Sequence, residues 1–246
     1  MSLISVIIPY YKKKDYIRKS INSILRQSYQ KFEIIIIYDD PSFIDLDYIK
    51  KIIKIDKRIF LIVNNKNLGA GQSRNIAIKK AKGKFIAFLD ADDIWKKHKL
   101  KIQLKFMQMN QYRITHTSFE IVGENNTIIG NRIARNFFHV NDILKSCDIG
   151  LSTVLLEKKI LSKSLKFGQT KTKEDFILWI KILKKKIIIG SIDQNLTLWK
   201  KTKNSLSTSI IQKMLDGFMV YNKHMKFNYF KSFYYLVLLS SNYLKK

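Results

Sequence analysis

Through roughly the first third of the chain, short apolar runs alternate with amphipathic stretches. Ser5–Pro9 reads as a strand, and Asp15 then opens a helix in which Ile17, Ile21, Ile24 and Leu25 recur at the spacing of one helical face. Phe32–Tyr38 is a second strand. Its Ile34-Ile35-Ile36-Ile37 core does not alternate, as expected where helices cover both faces of a parallel sheet. A helix near Tyr48–Ile55, a strand at Ile59–Val63, a helix over Gln72–Lys82 and a strand at Phe85–Leu89 complete a βαβαβαβ series. That order predicts an α/β protein with an open, Rossmann-like parallel sheet and helices on both faces.

Beyond Leu89 the rhythm is less regular. The pattern predicts a helix over His98–Met109, strands at Ile114–Val122 and Ile128–Ile133 around a Gly123-Glu124-Asn125-Asn126 turn, and a strand at Thr153–Leu156. A helix over Asp175–Lys185 and two short closing strands, Ile187–Ile192 and Leu196–Trp199, follow. Without a Gly/Ser/Pro-rich linker, the whole reads as one mixed, mostly parallel sheet. Residues 208–246 differ in composition, being rich in Phe, Tyr, Met and Lys, and are expected to form a helical C-terminal extension to a 1–207 domain.

The chain has 246 residues, 46 Lys and Arg against 19 Asp and Glu, and a formal net charge of +27. Such charge suits a polyanion, either nucleic acid or an anionic membrane face. Only seven of the basic residues are Arg, however, and the abundance of Lys, Ile, Asn, Phe and Tyr follows A/T-rich codons. Readers of nucleic acid favour the forked guanidinium, and neither zinc-finger spacing nor an RNP-like aromatic motif occurs, so no nucleic-acid partner is expected. The longest uncharged run, Ser232–Leu244, is too short to span a bilayer, and the N-terminus reads as a strand rather than a leader. A cytoplasmic protein is therefore expected. Cys147 stands alone, which excludes an intramolecular disulfide and a cysteine-rich zinc cluster.

In a chain this poor in acid, seven carboxylates fall in three tight groups: Asp39-Asp40, Asp90-x-Asp92-Asp93 and Glu174-Asp175. The first two each follow an apolar strand, at the edge where open α/β sheets form their ligand crevice. Clustered like charges cost energy unless a cation or a hydrogen-bonding ligand compensates them. Asp-x-Asp at a strand end offers hard oxygens suited to Mg²⁺ or Mn²⁺ holding a diphosphate. No P-loop is present, and Arg74 occupies the third-glycine position of the Gly69-x-Gly71 segment, which excludes a dinucleotide fingerprint.

These segments resemble the family 2 glycosyltransferases, inverting nucleotide-sugar enzymes of the GT-A fold. Ser5–Tyr11 resembles their first strand, and Ile37-Tyr38-Asp39-Asp40-Pro41-Ser42 their Val-Asp-Asp-Gly-Ser segment, with Pro41 in place of glycine. Asn67-x-Gly69 through Asn75, Ala81–Trp95 with its Asp90-Ala91-Asp92-Asp93, and Lys173-Glu174-Asp175-Phe176-x-x-Trp179 are similar to the later motifs. The resemblance implies that Pro9 and Tyr11 line a base pocket, that Asp40, with Asp39 beside it, accepts from the base, and that Arg74 approaches the nucleotide. It implies that Asp90 faces the ribose or donor sugar, that Asp92 holds Mn²⁺ or Mg²⁺, and that Asp175, with Glu174 as alternative, deprotonates the acceptor. Residues 1–95 would then bind the nucleotide sugar and 96–207 a glycan or lipid-linked acceptor. Surface polysaccharide synthesis is the expected setting. A noncatalytic nucleotide-sugar-binding protein of the same fold, or a basic peripheral-membrane adaptor, stays open as an alternative.

Residues 218–246 interleave aromatic and aliphatic bulk with Lys223, Lys226, Lys231, Lys245 and Lys246. That mixture suits an anionic membrane surface, and equally suits packing against the main domain.

Overall fold

The structure, a computed structural model, describes residues 2–202 and 210–244. Among these, nine strands form one sheet. Strands β1 (Ile4–Tyr10), β2 (Phe32–Tyr38), β3 (Ile59–Val63) and β4 (Phe85–Phe88) lie parallel in the order β3-β2-β1-β4. Their connections are α1 (Lys14–Leu25), α2 (Leu46–Ile53) and α3 (Ala70–Lys80). The sheet continues through β8 (Leu155–Glu157), β6 (Ile114–Val122), β9 (Gly190–Lys200) and β5 (Ile94–Trp95), with β7 (Ile128–Arg132) paired to β6. β4–β8 and β8–β6 are antiparallel while β6–β9 is parallel, which gives the mixed second half. The halves expected to meet at residue 95 thus share one sheet.

The non-alternating isoleucines of β2 have a simple cause. Ile34 and Ile36 join a core with Ile17, Ile21 and Ile24 of α1 and with Leu100 and Leu104 of α4 (Lys99–Met109), whereas Ile35 and Ile37 face the opposite core. That second core is built on α6 (Glu174–Lys184), whose Trp179 is fully buried, and on α5 (Val140–Leu144).

Two sequence expectations change. In place of two closing strands there is one, β9, beginning at Gly190. Its polar Asp193-Gln194-Asn195 reads as a turn but lies where the pairing with β6 slips at Thr117–Phe119, and Ser118 Oγ bonds Asp193 at 2.8 Å across that irregularity. The short β5 and α5 carry no periodicity that a sequence could display.

The 207/208 boundary lies outside the described residues. α7 (Ile210–Met219), a π-helical turn at Val220–His224 and α8 (Tyr229–Leu244) pack on the α6 side of the sheet. Tyr221 is fully buried, donates its hydroxyl to the Leu144 carbonyl at 2.7 Å and meets the Phe176 ring edge-on at 6.3 Å. Leu236 and Leu239 of α8 enter the same core, yet the opposite face leaves Phe230 89% exposed. No helix among the described residues is long and apolar enough to cross a membrane.

Candidate active site

Because β1 to β4 are parallel, their C-terminal ends share one edge, and chain order reverses between β1 and β4. That is the switch point at which such sheets open a crevice. Tyr11, Asp39-Asp40, Asn64 and Asp90–Asp93 all emerge there.

The two aspartates after β2 divide their work. Asp39 is buried and accepts from Asn64 Nδ2 at 2.7 Å and from the backbone N–H groups of Leu68 and Gly69 at 2.9 and 2.8 Å. It organises the loop into α3, where Gly69 takes a φ of +79° that a side chain would strain. Asp40 is the less committed partner, accepting from the Ser42 N–H at 3.1 Å. Pro41 fits because it occupies the second position of an Asp40–Phe43 turn closed by a 3.2 Å backbone bond, where a φ near −65° is wanted. The left-handed residue is instead Phe43, stacked on Tyr38, which in turn stacks on Tyr10. Pro9 is half-buried and Tyr11 is 38% exposed.

Arg74, on α3, joins two of the sequence groups. Its side chain is 4% exposed; Nη2 donates to Asp90 Oδ1 at 2.6 Å and Nη1 to Glu174 Oε1 at 2.8 Å. Burial works against the guanidinium charge, yet Asp90, Glu174 and Asp175 together push its pKa up. Gly71 permits the arrangement: a Cβ there would lie 2.9 Å from both Glu174 Cγ and the Gly168 carbonyl. Thus the small residue that lets α3 approach α6 closely is Gly71.

Glu174 and Asp175 form the first turn of α6. Burial, then the neighbouring Asp175 charge, push Glu174 up to about 7 against the pull of Arg74. Burial likewise raises Asp175, outweighing Lys173, its hydrogen bond from the Phe176 N–H at 2.7 Å and Arg74. A helix N-terminus alone would favour the ionised form. Here desolvation prevails, and both carboxyls hold a proton to higher pH than free carboxyls do.

Asp92 lies nearer the mouth and pairs with Lys13 Nζ at 2.7 Å. Burial raises its pKa, Lys13 opposes, and Asp90 adds to the rise. Asp93, 1% exposed, accepts from Ser152 Oγ at 2.5 Å and the Lys200 N–H at 2.8 Å, so it staples the loop to β9. A cavity of about 210 Å³ opens beside Asp92 and includes Tyr16 and Lys200. A larger groove of about 690 Å³ along α1, lined by Lys19, Asn22 and Arg26, contains none of the site carboxylates. Sequence reading missed Lys13, one lysine among 39, and Ser152, whose hydroxyl also accepts from the Asp90 N–H at 3.0 Å.

A divalent cation can be tested against this donor set. Among the described residues no three His, Cys, Asp or Glu side chains converge to hold a metal unaided. Asp90 and Asp92 each face a cation of the chain, Arg74 and Lys13, and supply hard oxygens. Two carboxylates fit Mg²⁺ or Mn²⁺ when diphosphate oxygens complete the shell.

Residues 5–154 match the family model described as glycosyl transferase family 2. TuaG of Bacillus subtilis (strain 168), provisionally named a teichuronic acid biosynthesis glycosyltransferase, is 30% identical over 99% of this chain and 97% of its own. WfgD of Escherichia coli, named UDP-Glc:alpha-D-GlcNAc-diphosphoundecaprenol beta-1,3-glucosyltransferase, is 40% identical over 74% of this chain and 70% of its own. The crystal structure of Staphylococcus aureus TarS 1-349 in complex with UDP-GlcNAc superposes with a TM-score of 0.71 at 19% identity, over 96% of this chain and 70% of that one, which identifies the fold as GT-A. With its carboxylate groups intact along the crevice, the chain belongs to glycosyl transferase family 2.

Proposed function

We propose that this glycosyltransferase moves a sugar, with inversion, from a uridine-diphosphate sugar to a hydroxyl of a lipid-diphosphate-linked glycan in surface polysaccharide synthesis. The observation that carries this reading is Arg74, whose two ion pairs tie Asp90 on the donor side to Glu174 on the acceptor side in one buried unit. The names of WfgD and TuaG support the donor, the acceptor and the setting.

In this reading residues 1–95 hold the donor and 96–207 receive the acceptor. Asp40 accepts from the base beside Pro9 and Tyr11, Asp39 keeps the adjoining loop in place, and Asp90 faces the ribose or donor sugar. Asp175 withdraws the proton of the attacking hydroxyl as that oxygen bonds the anomeric carbon and the bond to the diphosphate breaks. One displacement with one base inverts the centre. Lys13 places positive charge near the leaving diphosphate. A Mn²⁺ or Mg²⁺ ion held by Asp92, with Asp90 at hand, would supply further charge compensation there. Glu174, paired with Arg74, keeps the base and the donor side in register.

The test is transfer from a panel of nucleotide sugars to a lipid-diphosphate-GlcNAc acceptor with Mn²⁺, followed by NMR of the new anomeric proton. Inverted product is expected; retained configuration overturns the single-base mechanism.

The acceptor's lipid places the reaction at the inner face of a membrane, with the chain peripheral to it through residues 218–246. Tyr229, Phe230, Phe233, Tyr234 and Val237 are exposed along one side of α8, and no acidic residue occurs after Asp216. Flotation with phosphatidylglycerol vesicles should carry the full chain, and Phe230→Ser with Phe233→Ser should lower the bound fraction severalfold. Equal flotation of the variant would remove the C-terminal contact from the reading.

A further inference from the structure

The turn that leads into Glu174 and Asp175 is held by α7, an element that, like them, lies beyond the residues matched by the family model. Asp216 of α7 is 1% exposed, and its Oδ2 accepts from both the backbone N–H and the hydroxyl of Thr172, at 2.7 and 2.8 Å. Its Oδ1 accepts from Gln212 Nε2 at 3.1 Å, so both oxygens are committed. Hydrogen bonds to a buried carboxylate are charge-assisted and geometrically demanding.

Thr172 precedes Lys173, whose φ of +64° turns the chain left-handed into Glu174 and Asp175. A non-glycine residue holds that conformation only where its surroundings over-determine it. On the far side of the turn, Arg74 grips Glu174. On the near side the grip is Asp216, with Tyr221 packed against Phe176 from the same C-terminal segment. The first turn of α6 is thus held from α3 at one point and from the C-terminal helices at another.

We propose that Asp216 is a positioning residue for acceptor activation, fixing the left-handed turn at Lys173 and hence the place of the Asp175 carboxylate. The inference rests on the reading of Asp175 as the base. A displacement of about 1 Å at a reacting group can cost as much as a hundredfold in rate.

Asp216→Ala should therefore lower kcat for transfer roughly 10- to 100-fold, with nucleotide affinity unchanged within about twofold. Asp216→Asn, which keeps an acceptor oxygen, should recover most of that loss. Thr172→Val should fall between, and Thr172→Ser should behave as the parent, which keeps the test open if Asp216→Ala does not fold. If Asp216 acts through the base, Asp216→Ala should cost little more in an Asp175→Asn background. Normal kcat in both Asp216→Ala and Thr172→Val, or an undiminished penalty in the Asp175→Asn background, overturns the positioning role alone. Normal turnover by Asp175→Asn itself overturns the base assignment on which it rests.

Discussion

Asp175→Asn is expected to depress turnover by about three orders of magnitude while the nucleotide sugar still binds, because the change removes the proton acceptor and leaves the donor crevice alone. Glu174→Gln should be milder, about tenfold, since a neutral amide can still accept from Arg74 but no longer balances its charge. A pH profile adds an independent check. A base works only when deprotonated, and burial raises both carboxylates, Glu174 to about 7. The acid limb of kcat/KM should accordingly lie above the usual carboxylate range, activity falling as pH drops through it. In Glu174→Gln the neighbouring charge is gone, and the limb should move to lower pH. If Glu174→Gln proves more damaging than Asp175→Asn, the two roles must be exchanged.

Asp92→Asn is expected to cost about a hundredfold or more in turnover with the fold intact, since it deletes a negative charge proposed to hold the divalent cation that would offset charge on the leaving diphosphate. Its apparent affinity for Mn²⁺ should weaken in parallel, as read by titrating activity against the ion. Asp40→Ala should act differently, weakening nucleotide binding with or without the metal. Near-normal turnover of Asp92→Asn at saturating Mn²⁺ would remove Asp92 from the metal role.

Much of this site was legible in the chain because strand periodicity and rare acids mark the same places. The Ile34–Ile37 run announced a strand buried on both faces, and Asp39-Asp40 and Asp90-x-Asp92 followed strands at the crevice edge. What was not legible depended on partners distant in sequence. Nothing local distinguishes Asp39 as a loop organiser from Asp40 as a binding group; only the hydrogen bonds from Asn64, Leu68 and Gly69 do so. Asp93 falls in the same acidic group as Asp90 and Asp92, but Ser152 and Lys200 claim it for the fold. The raised pKa of Asp175 opposes what a helix N-terminus suggests, because burial is a property of the folded chain. Lys13 was hidden by abundance.

The double ion pair of Arg74 also bears on modularity. Enzymes of this kind invite recombination, in which the acceptor half of one relative is grafted onto the donor half of another to obtain a new linkage. Here the seam is not neutral. Arg74 comes from the first half and Glu174 from the second, and both are desolvated. A graft without an acid at position 174 would leave the buried guanidinium with Asp90 as its remaining ion-pair partner and its Nη1 without an acceptor, which weakens the seam. Chimeras that keep the Arg74–Glu174 pair keep this seam matched in charge, and an exchanged second half must also supply Ser152, which holds Asp90 and Asp93 on the donor side.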